Sequence, residues 1–389
     1  MAARLAAALA LGSLLAGIAA ATGAAPASTA ADPAAKCKPG YVSAVIAGKH
    51  TCLRAGQRCN KTYDRQYHRY GFHCHGARLT KKAAPKPPPP SQPIGTITAR
   101  IPLASAATGV AVGEGAVWVR EGRSIQRVDP STNAVTASAG VGDGQAVAVG
   151  EGAVWATNFD SNTLTRLDPQ TAGVAATIPL RGTTPVLLTT GFGAVWVGID
   201  NPEGQPCAVE RVDTATNAVV ASISEEAADV GCGGLGVGAG SLWAGGLPNA
   251  VRIDPAANRI VARIPGPAQA VCGGDLIAAD DAVWCASGLE PRFGADLIRI
   301  DPARNAVAAT ISILGTPTSG VALGFGAVWV TTARRPGAAG TSLVVARIDP
   351  GTNKITGTLA LSDVGDVATG YDSVWVATGT TLLRITPAA

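Results

Sequence analysis

One heptapeptide, Gly-Phe-Gly-Ala-Val-Trp-Val, occurs twice in this chain, at Gly191–Val197 and at Gly324–Val330, which are 133 residues apart. A catalytic motif is normally written once, so the duplication indicates a repeated structural unit. All seven tryptophans of the chain mark copies of this unit, and six of them are followed by an Arg-(Val/Leu/Ile)-Asp triplet. The tryptophans are Trp118, Trp155, Trp196, Trp243, Trp284, Trp329 and Trp375.

Each unit contains four short β-branched or apolar runs separated by Gly-rich or Asp-Pro turns, and the period averages about 42 residues, as in four-stranded propeller blades. The last unit ends without a fourth strand, whereas an orphan strand at Gly95–Ser105 precedes the first unit. Pairing that strand into the last blade removes the free sheet edges between first and last blades. The sequence therefore predicts an all-β fold, a seven-bladed β-propeller closed by an N-terminal strand and preceded by a small disulfide-rich module.

Two segments of the repeats carry a family resemblance. Ala156–Leu180 resembles the YVTN-type repeat of secreted and surface-layer propellers, and Gly324–Val330 with Arg347–Leu359 is similar to the virginiamycin B lyase-like (streptogramin lyase) superfamily. The resemblance spans nearly all of residues 94–389 and implies a metal-dependent elimination site built from His and Glu. The chain departs from that pattern, because its four histidines all precede the propeller. The inherited lyase machinery is therefore expected to be absent.

The N-terminus has the order of a secretory signal peptide, predicted over residues 1–31. Arg4 precedes an Ala- and Leu-rich run at Leu5–Ala21, and small-residue cleavage options such as Ala25–Ala27 follow it. A membrane anchor is the alternative, because the run is close to spanning length. No later stretch is long and apolar enough to span, so we expect a secreted or cell-envelope-associated protein with no integral membrane segment after cleavage.

A basic Cys-rich module is predicted over residues 36–80, followed by a Pro-rich linker at 81–93 and the propeller at 94–389. Lys36–Lys86 contains twelve Lys or Arg and one acid, whereas the chain from Ile94 contains eighteen Lys or Arg and twenty-five acids. Such a split indicates two units with different partners. We expect the module to bind an envelope polyanion or glycan, and it resembles a small module of secreted actinobacterial proteins. Zinc binding through His73, Cys74 and His75 is the alternative.

The cysteines fall into two even sets, as complete disulfide pairing in an exported protein requires. Within the propeller, Cys207–Cys232 and Cys272–Cys285 are the predicted pairs, whereas the pairing within the module stays open. The two sets are Cys37, Cys52, Cys59 and Cys74, and Cys207, Cys232, Cys272 and Cys285.

Blades three, five and six carry inserted loops between their second and third strands, and these loops are expected on one face of the ring, where binding function concentrates. Solvated spacer loops without a ligand are the alternative interpretation. The repeated Trp, Arg and Asp residues are interpreted as structural, the Trp as core and the charged pair as inter-strand or inter-blade hydrogen bonds. The candidate binding residues are Asp200, Glu203, Arg292, Phe293, Arg334 and Arg335.

Three functional hypotheses follow. The favoured one is a monomeric, non-catalytic binding protein without a cofactor, whose propeller face binds a protein, peptide or glycan. The second is a propeller lyase or hydrolase, in which Asp143, Asp363 and Asp366, just ahead of inner strands, hold a divalent metal. The third is a purely structural wall component.

Overall fold

A computed structural model describes residues 37–38, 40–81, 93–202, 206–224, 233–246, 249–266, 272–287, 296–313, 316–333, 343–363 and 365–388. The predicted signal peptide, and the predicted linker between residues 82 and 92, lie outside these ranges. The chain divides into two compact units, Met1–Pro88 and Pro89–Ala389. Within the described ranges, no helix has the length and apolar character that crossing a membrane requires.

The second unit is a seven-bladed β-propeller, as the repeats predict. Each blade is a four-stranded antiparallel sheet, and in blades 1 to 6 the strands follow one another in chain order from the inside outward. Blades 1 to 3 consist of β6 Gly109–Gly113, β7 Ala116–Glu121, β8 Ser124–Asp129 and β9 Ala134–Gly140; β10 Val147–Gly150, β11 Ala153–Asn158, β12 Thr163–Leu167 and β13 Val174–Pro179; and β14 Pro185–Gly191, β15 Ala194–Ile199, β16 Ala208–Asp213 and β17 Ala218–Ser224. Blades 4 to 6 consist of β18 Leu235–Gly238, β19 Ser241–Ala244, β20 Asn249–Asp254 and β21 Arg259–Pro265; β22 Leu276–Ala278, β23 Val283–Ala286, β24 Asp296–Asp301 and β25 Ala306–Ser312; and β26 Thr316–Gly324, β27 Ala327–Ala333, β28 Leu343–Asp349 and β29 Lys354–Leu361.

Blade 7 closes the ring with the orphan strand that the sequence indicates. Its strands are β30 Val367–Gly370, β31 Ser373–Thr378, β32 Thr381–Pro387 and the N-terminal β5 Gly95–Pro102. The pairing runs from Thr381 opposite Pro102 to Pro387 opposite Gly95. The outer edge of the last blade is thus made by residues that come almost 300 positions earlier, which ties the two ends of the propeller together.

The tryptophans form the contacts between blades. Each is 0 or 1% exposed, and its second-strand neighbours are also buried because both faces of a blade pack against other blades. Six of the seven indoles donate from Nε1 to the carbonyl oxygen of a glycine at the end of the inner strand, for example Trp196 to Gly191 at 3.1 Å. The predicted core role of the Trp series is therefore confirmed.

The arginines of the triplets fasten each blade to the next. Every one of them lies over the tryptophan ring of its own blade, at 5.1 Å for Arg252 over Trp243. Its guanidinium then donates to the following blade, where Nη1 of Arg252 is 2.8 Å from the Pro302 carbonyl oxygen. Arg384, the equivalent arginine of blade 7, where the sequence is Arg-Ile-Thr, closes this series by donating to the Pro130 carbonyl oxygen of blade 1 at 2.6 Å. The predicted inter-blade hydrogen bonds of the repeated Arg are confirmed.

The triplet aspartates hold the turns that these arginines contact. In blade 1 the Asp129 carboxylate accepts hydrogen bonds from the Ser131 amide and hydroxyl, both at 2.7 Å. Those hydrogen bonds lower the pKa of the Asp129 carboxyl. The turn ends at Asn133 with φ of +57°, a left-handed conformation that asparagine tolerates well. The repeated Arg and Asp residues therefore serve the scaffold.

The first unit is a small module with two disulfides, Cys37–Cys52 and Cys59–Cys74, each with 5.7 Å between Cα atoms. Its compact centre is made by the buried side chains of Leu53, Tyr67 and Phe72. The elements are β1 Val42–Ile46 paired with β2 Lys49–Leu53, a 3₁₀ turn Lys61–Tyr63, helix α1 Asp64–His68, and β3 Phe72–His75 paired with β4 Arg78–Lys81.

Candidate binding site in the central channel

The inner strands of the propeller surround a cavity of about 640 Å³. Aliphatic side chains and glycine backbone make most of its wall, with contributions from Leu187, Leu276 and Val367 among others. Three carboxylates also line it, those of Asp200, Asp275 and Asp366, and its described lining contains no Lys, Arg or His. The channel therefore has both aliphatic and polar groups in its wall, and its charged groups are all acidic.

Two of these acids occupy the same position in different blades. This position is the first residue of the inner strand or one of the residues just before it. On the neighbouring second strand, it lies opposite the residue two positions after the blade's tryptophan. This equivalence is visible in the hydrogen bonds, since the Asp275 carbonyl accepts from the Ala286 amide at 2.9 Å and the Asp366 carbonyl from the Ala377 amide at 3.0 Å. From blade 1 to blade 7 the residues at this position are Gly109, Ala146, Leu187, Gly234, Asp275, Gly320 and Asp366. Only blades 5 and 7 place a charge there.

Backbone amides hold the Asp366 carboxylate in place. Its Oδ2 accepts from the Val110 amide of blade 1 at 2.9 Å, and its Oδ1 accepts from the Val367 amide at 2.8 Å. The first of these bonds crosses from blade 7 to blade 1, at the point where the ring closes. Asp366 therefore contributes to closure on the inside of the ring, in addition to lining the channel.

Asp275 has no comparable support. Among the described residues its carboxylate accepts no hydrogen bond, and burial raises its pKa from 3.8 to about 7. Asp275 is half-buried, and it lines the channel. An acid in this environment is partly protonated near neutral pH, because the surroundings offer nothing that favours its charged form.

The two carboxyls oppose each other's ionisation. The pKa of Asp366 is raised well above its ordinary value, first by burial and second by the negative charge of Asp275, while the two backbone amides act in the opposite direction. The two acids therefore titrate as a pair rather than independently. A cation entering the channel would relieve both the repulsion and the lack of a partner, so the arrangement is suited to holding positive charge.

Of the predicted binding residues, Asp200 lines this channel, at the start of the blade 3 insertion. Its amide donates to the Thr184 carbonyl at 3.1 Å. Asp200 follows a second strand, whereas Asp275 and Asp366 precede inner strands, and in an antiparallel blade both positions lie on the same face of the ring. The channel therefore opens on the face that carries the insertions. The other five predicted residues, Glu203, Arg292, Phe293, Arg334 and Arg335, lie outside the described residues.

The three acids of the metal hypothesis are not brought together. Asp366 lines the channel, Asp363 lines a separate surface depression with Arg100, and Asp143 lies beside the buried Arg120. The described part of the chain contains no group of three His, Cys, Asp or Glu side chains placed to hold a metal ion. Sequence reasoning missed Asp275, although aligning the seven positions that precede the inner strands would have indicated it.

Zinc binding through His73, Cys74 and His75, the alternative for the module, is wrong. Cys74 is bonded to Cys59, and a disulfide sulfur is not a thiolate ligand. The spacing left the pairing open, and the structure pairs neighbours along the chain.

Disulfides also stiffen the channel face of the propeller. Cys272 and Cys285 are bonded within blade 5, next to Asp275. Cys207, in the blade 3 insertion, is disulfide-bonded as well, and its predicted partner Cys232 lies outside the described residues.

Two buried acids on the scaffold explain how the connections between blades are held. Glu210 accepts from the Gly182 amide at 2.7 Å and from the Arg181 amide at 3.1 Å, and Glu121 accepts from the Ala104 amide at 3.1 Å. Each thereby fixes the segment that enters its blade. Neither lines the channel cavity.

No protein-family model and no curated protein matches this chain. Solved structures similar to the propeller include streptogramin B lyase, with a TM-score of 0.60 and 17% identity over 75% of this chain and 97% of that one. Hydrazine synthase from Kuenenia stuttgartiensis has a TM-score of 0.60 and 14% identity over 73% of this chain and 96% of that one. BamB from Moraxella catarrhalis has a TM-score of 0.51 and 14% identity over 75% and 97% of the two chains. At these identities the likeness shows the fold alone.

Proposed function

We propose that this chain is a secreted, envelope-associated binding protein without catalytic activity. The channel face of its propeller binds a protein, peptide or glycan, and its basic module tethers it to an anionic polymer of the envelope. The signal-peptide pattern and the disulfides of both units support export, because such bonds persist in oxidising compartments.

The observation that carries the proposal is the opposite charge that the two units offer to partners. In the described part of the module the only acid is Asp64, which is half-buried, accepts the Cys74 amide at 2.6 Å and pairs with His68 at 3.3 Å. The basic side chains around it are exposed, namely those of Lys38, Lys49, Arg54, Arg58, Lys61, Arg65, Arg69, Arg78 and Lys81. The propeller channel has carboxylates and no cation in its described lining. One unit is thus suited to anionic partners and the other to partners that present positive or neutral groups.

Tethering is tested on the full chain by pelleting with purified cell envelope. Replacing Arg54, Arg58, Arg65 and Arg69 by glutamine removes four exposed charges of the module, and binding is expected to weaken strongly and to lose most of its salt dependence. The matched control replaces four exposed propeller arginines by glutamine, Arg100, Arg123, Arg259 and Arg304. Equal binding of both quadruple variants and the wild type would refute the tether.

A lyase is the second candidate, because streptogramin B lyase is among the similar solved structures and because Asp275 and Asp366 have raised pKa values. A carboxyl that stays protonated near neutral pH is able to donate a proton to a leaving group. Incubating the full chain with virginiamycin B and divalent cations distinguishes the two candidates. We expect no turnover, and turnover that Asp366→Asn abolishes would establish the enzyme instead.

A further inference from the structure

Asp275 and Asp366 place larger side chains at a position where packing allows only small residues in the neighbouring blades. A Cβ atom added to Gly320 in blade 6 would lie 2.7 Å from the Val367 amide nitrogen, and one added to Gly234 would collide with the Leu276 amide. Small residues are therefore required at the equivalent position of blades 4 and 6. Blades 5 and 7 have room for a side chain, and both fill it with a carboxylate.

The Asp275 carboxylate lies in the channel wall without a partner among the described residues. An aliphatic side chain at the same place would be stable without any partner, as Leu187 is in blade 3. An ionised acid there instead has an energetic cost, because a half-buried carboxylate in the channel wall loses part of the hydration that bulk water would provide. A ligand that supplies donors to this carboxylate would remove that cost.

The remaining channel wall limits what such a ligand looks like. The cavity, at about 640 Å³, is large enough to take a side chain, and its aliphatic lining residues, including Val110, Leu235 and Ile277, favour methylene groups. Its described lining contains no positive charge that would compete for the carboxylates. A cationic head on an aliphatic stem matches the two carboxylates together with the aliphatic side chains of this mixed wall.

We propose that Asp275 and Asp366 bind one primary ammonium group at the end of an aliphatic chain, such as a lysine side chain that the partner inserts into the channel. The inference rests on the proposed function, since it names the group by which a protein or peptide partner is held on the channel face. The –NH₃⁺ group has three donors, which is enough to reach both carboxylates and one further acceptor. The methylene stem would then contact the aliphatic wall.

A divalent metal fits these residues less well. Ca²⁺ takes about six to eight oxygen ligands, most of them carboxylates and carbonyls. Here no third acid of the described residues joins the pair in a metal-binding group. A monovalent ammonium needs fewer acceptors and matches the single charge that the coupled pair carries most readily.

The test titrates n-butylammonium chloride into the full chain and measures the heat of binding by isothermal titration calorimetry at neutral pH. Sodium chloride at equal ionic strength and the neutral analogue N-butylacetamide are the ligand controls. We expect saturable binding of butylammonium alone, weakened about tenfold or more in Asp275→Asn and Asp366→Asn, as for the loss of a charge-assisted hydrogen bond. Asp281→Asn and Asp372→Asn are the matched protein controls, because these exposed acids follow the opposite ends of the same two inner strands.

A second measurement separates site binding from general attraction to an acidic protein. The ammonium favours the ionised pair, so binding near pH 7 must release protons, and the observed heat must then depend on the ionisation enthalpy of the buffer. This dependence is expected in the wild type and in both control variants, and it is expected to shrink in Asp275→Asn. Asp275→Asn also removes an unpartnered charge, so its fold is expected to persist.

Three results would overturn the inference. They are absence of saturable binding, equal binding by all variants, and binding of CaCl₂ or MgCl₂ in place of butylammonium at the same two residues. The first two results do not contradict the proposed function if the wild-type protein binds an envelope component and the Asp275→Asn and Asp366→Asn variants bind it equally well. The proposed function itself fails if the wild type retains no envelope component at all.

Discussion

Replacing Asp275 by asparagine should stabilise the propeller, and the gain should grow with pH. In the folded protein the pKa of this carboxyl is about 7, compared with 3.8 as its ordinary value. Between these two values the folded chain binds more protons than the unfolded chain, so the stability of the wild type falls as pH rises from about 4 to about 7. Above the folded pKa the whole cost is present, and asparagine at this position does not have it.

The magnitude follows from the shift of the pKa from 3.8 to about 7. At about 1.4 kcal/mol per pKa unit this is about 4 kcal/mol, and channel water that contacts the carboxylate reduces it to roughly 2 kcal/mol. For a domain of this size that corresponds to a rise in Tm of about 4 °C, close to zero at pH 4 and complete at pH 8.

Calorimetric melting of the full chain at pH 4, 6 and 8 checks this expectation, with Asp281→Asn as the control. Asp281 is exposed and lies at the other end of the same inner strand, so its replacement should leave Tm nearly unchanged at every pH. A gain for Asp275→Asn that is equal at pH 4 and pH 8 would show that charge burial is not its cause. A loss of stability at pH 8 would show that the carboxylate has a partner, and the reasoning about the channel would fail.

Three further changes test the scaffold. Arg252→Ala removes the hydrogen bond to Pro302 and the contact with Trp243, and should cost about 2–3 kcal/mol in urea unfolding, whereas the exposed Arg259→Ala should cost almost nothing. Ile101→Ala, in the closing strand and 3% exposed, should cost about 2–4 kcal/mol, while replacing the exposed Thr96 of the same strand by alanine should be close to neutral by the same measurement. Removing the Cys59–Cys74 bond by a double serine replacement frees a loop whose ends are 15 residues apart, at a cost of about 3 kcal/mol, and limited proteolysis should then cleave within residues 59–74 much faster. Unchanged cleavage would show that the module's small core holds it without the bond.

Features that recur in every blade could be predicted from the sequence. Seven tryptophans count the blades, and the missing fourth strand of the last unit identifies Gly95–Pro102 as its replacement. The repeated Arg could be recognised as inter-blade contacts because a ligand seldom needs seven copies of one residue. In these cases a local pattern determines the contact, since the same strand order places the same residues next to each other each time.

The candidate site could be predicted only in part. Asp200 was identified because an insertion breaks the repeat length, and it lines the channel. Asp275 breaks the repeat in residue type but not in length, so spacing alone does not reveal it. The proximity of blades 5 and 7 across the channel also follows from ring curvature, which no local pattern contains. The pairing of the module's four cysteines was open for a similar reason, since four cysteines allow three connectivities.

The channel and the scaffold use charge in opposite ways, and this difference locates function within the repeat. The scaffold charges are partnered, because each repeated Arg donates to the next blade and each triplet Asp accepts from its own turn, as Arg252 and Asp254 do. Asp275 has no partner among the described residues, although glycine, alanine and leucine fill the equivalent position in other blades at no electrostatic cost. Folding alone therefore gives no reason for an acid at this position. A cation that binds between Asp275 and Asp366 would give such a reason. The unfavourable free energy of the unpartnered carboxylate is relieved when the cation binds, and this relief adds to the affinity.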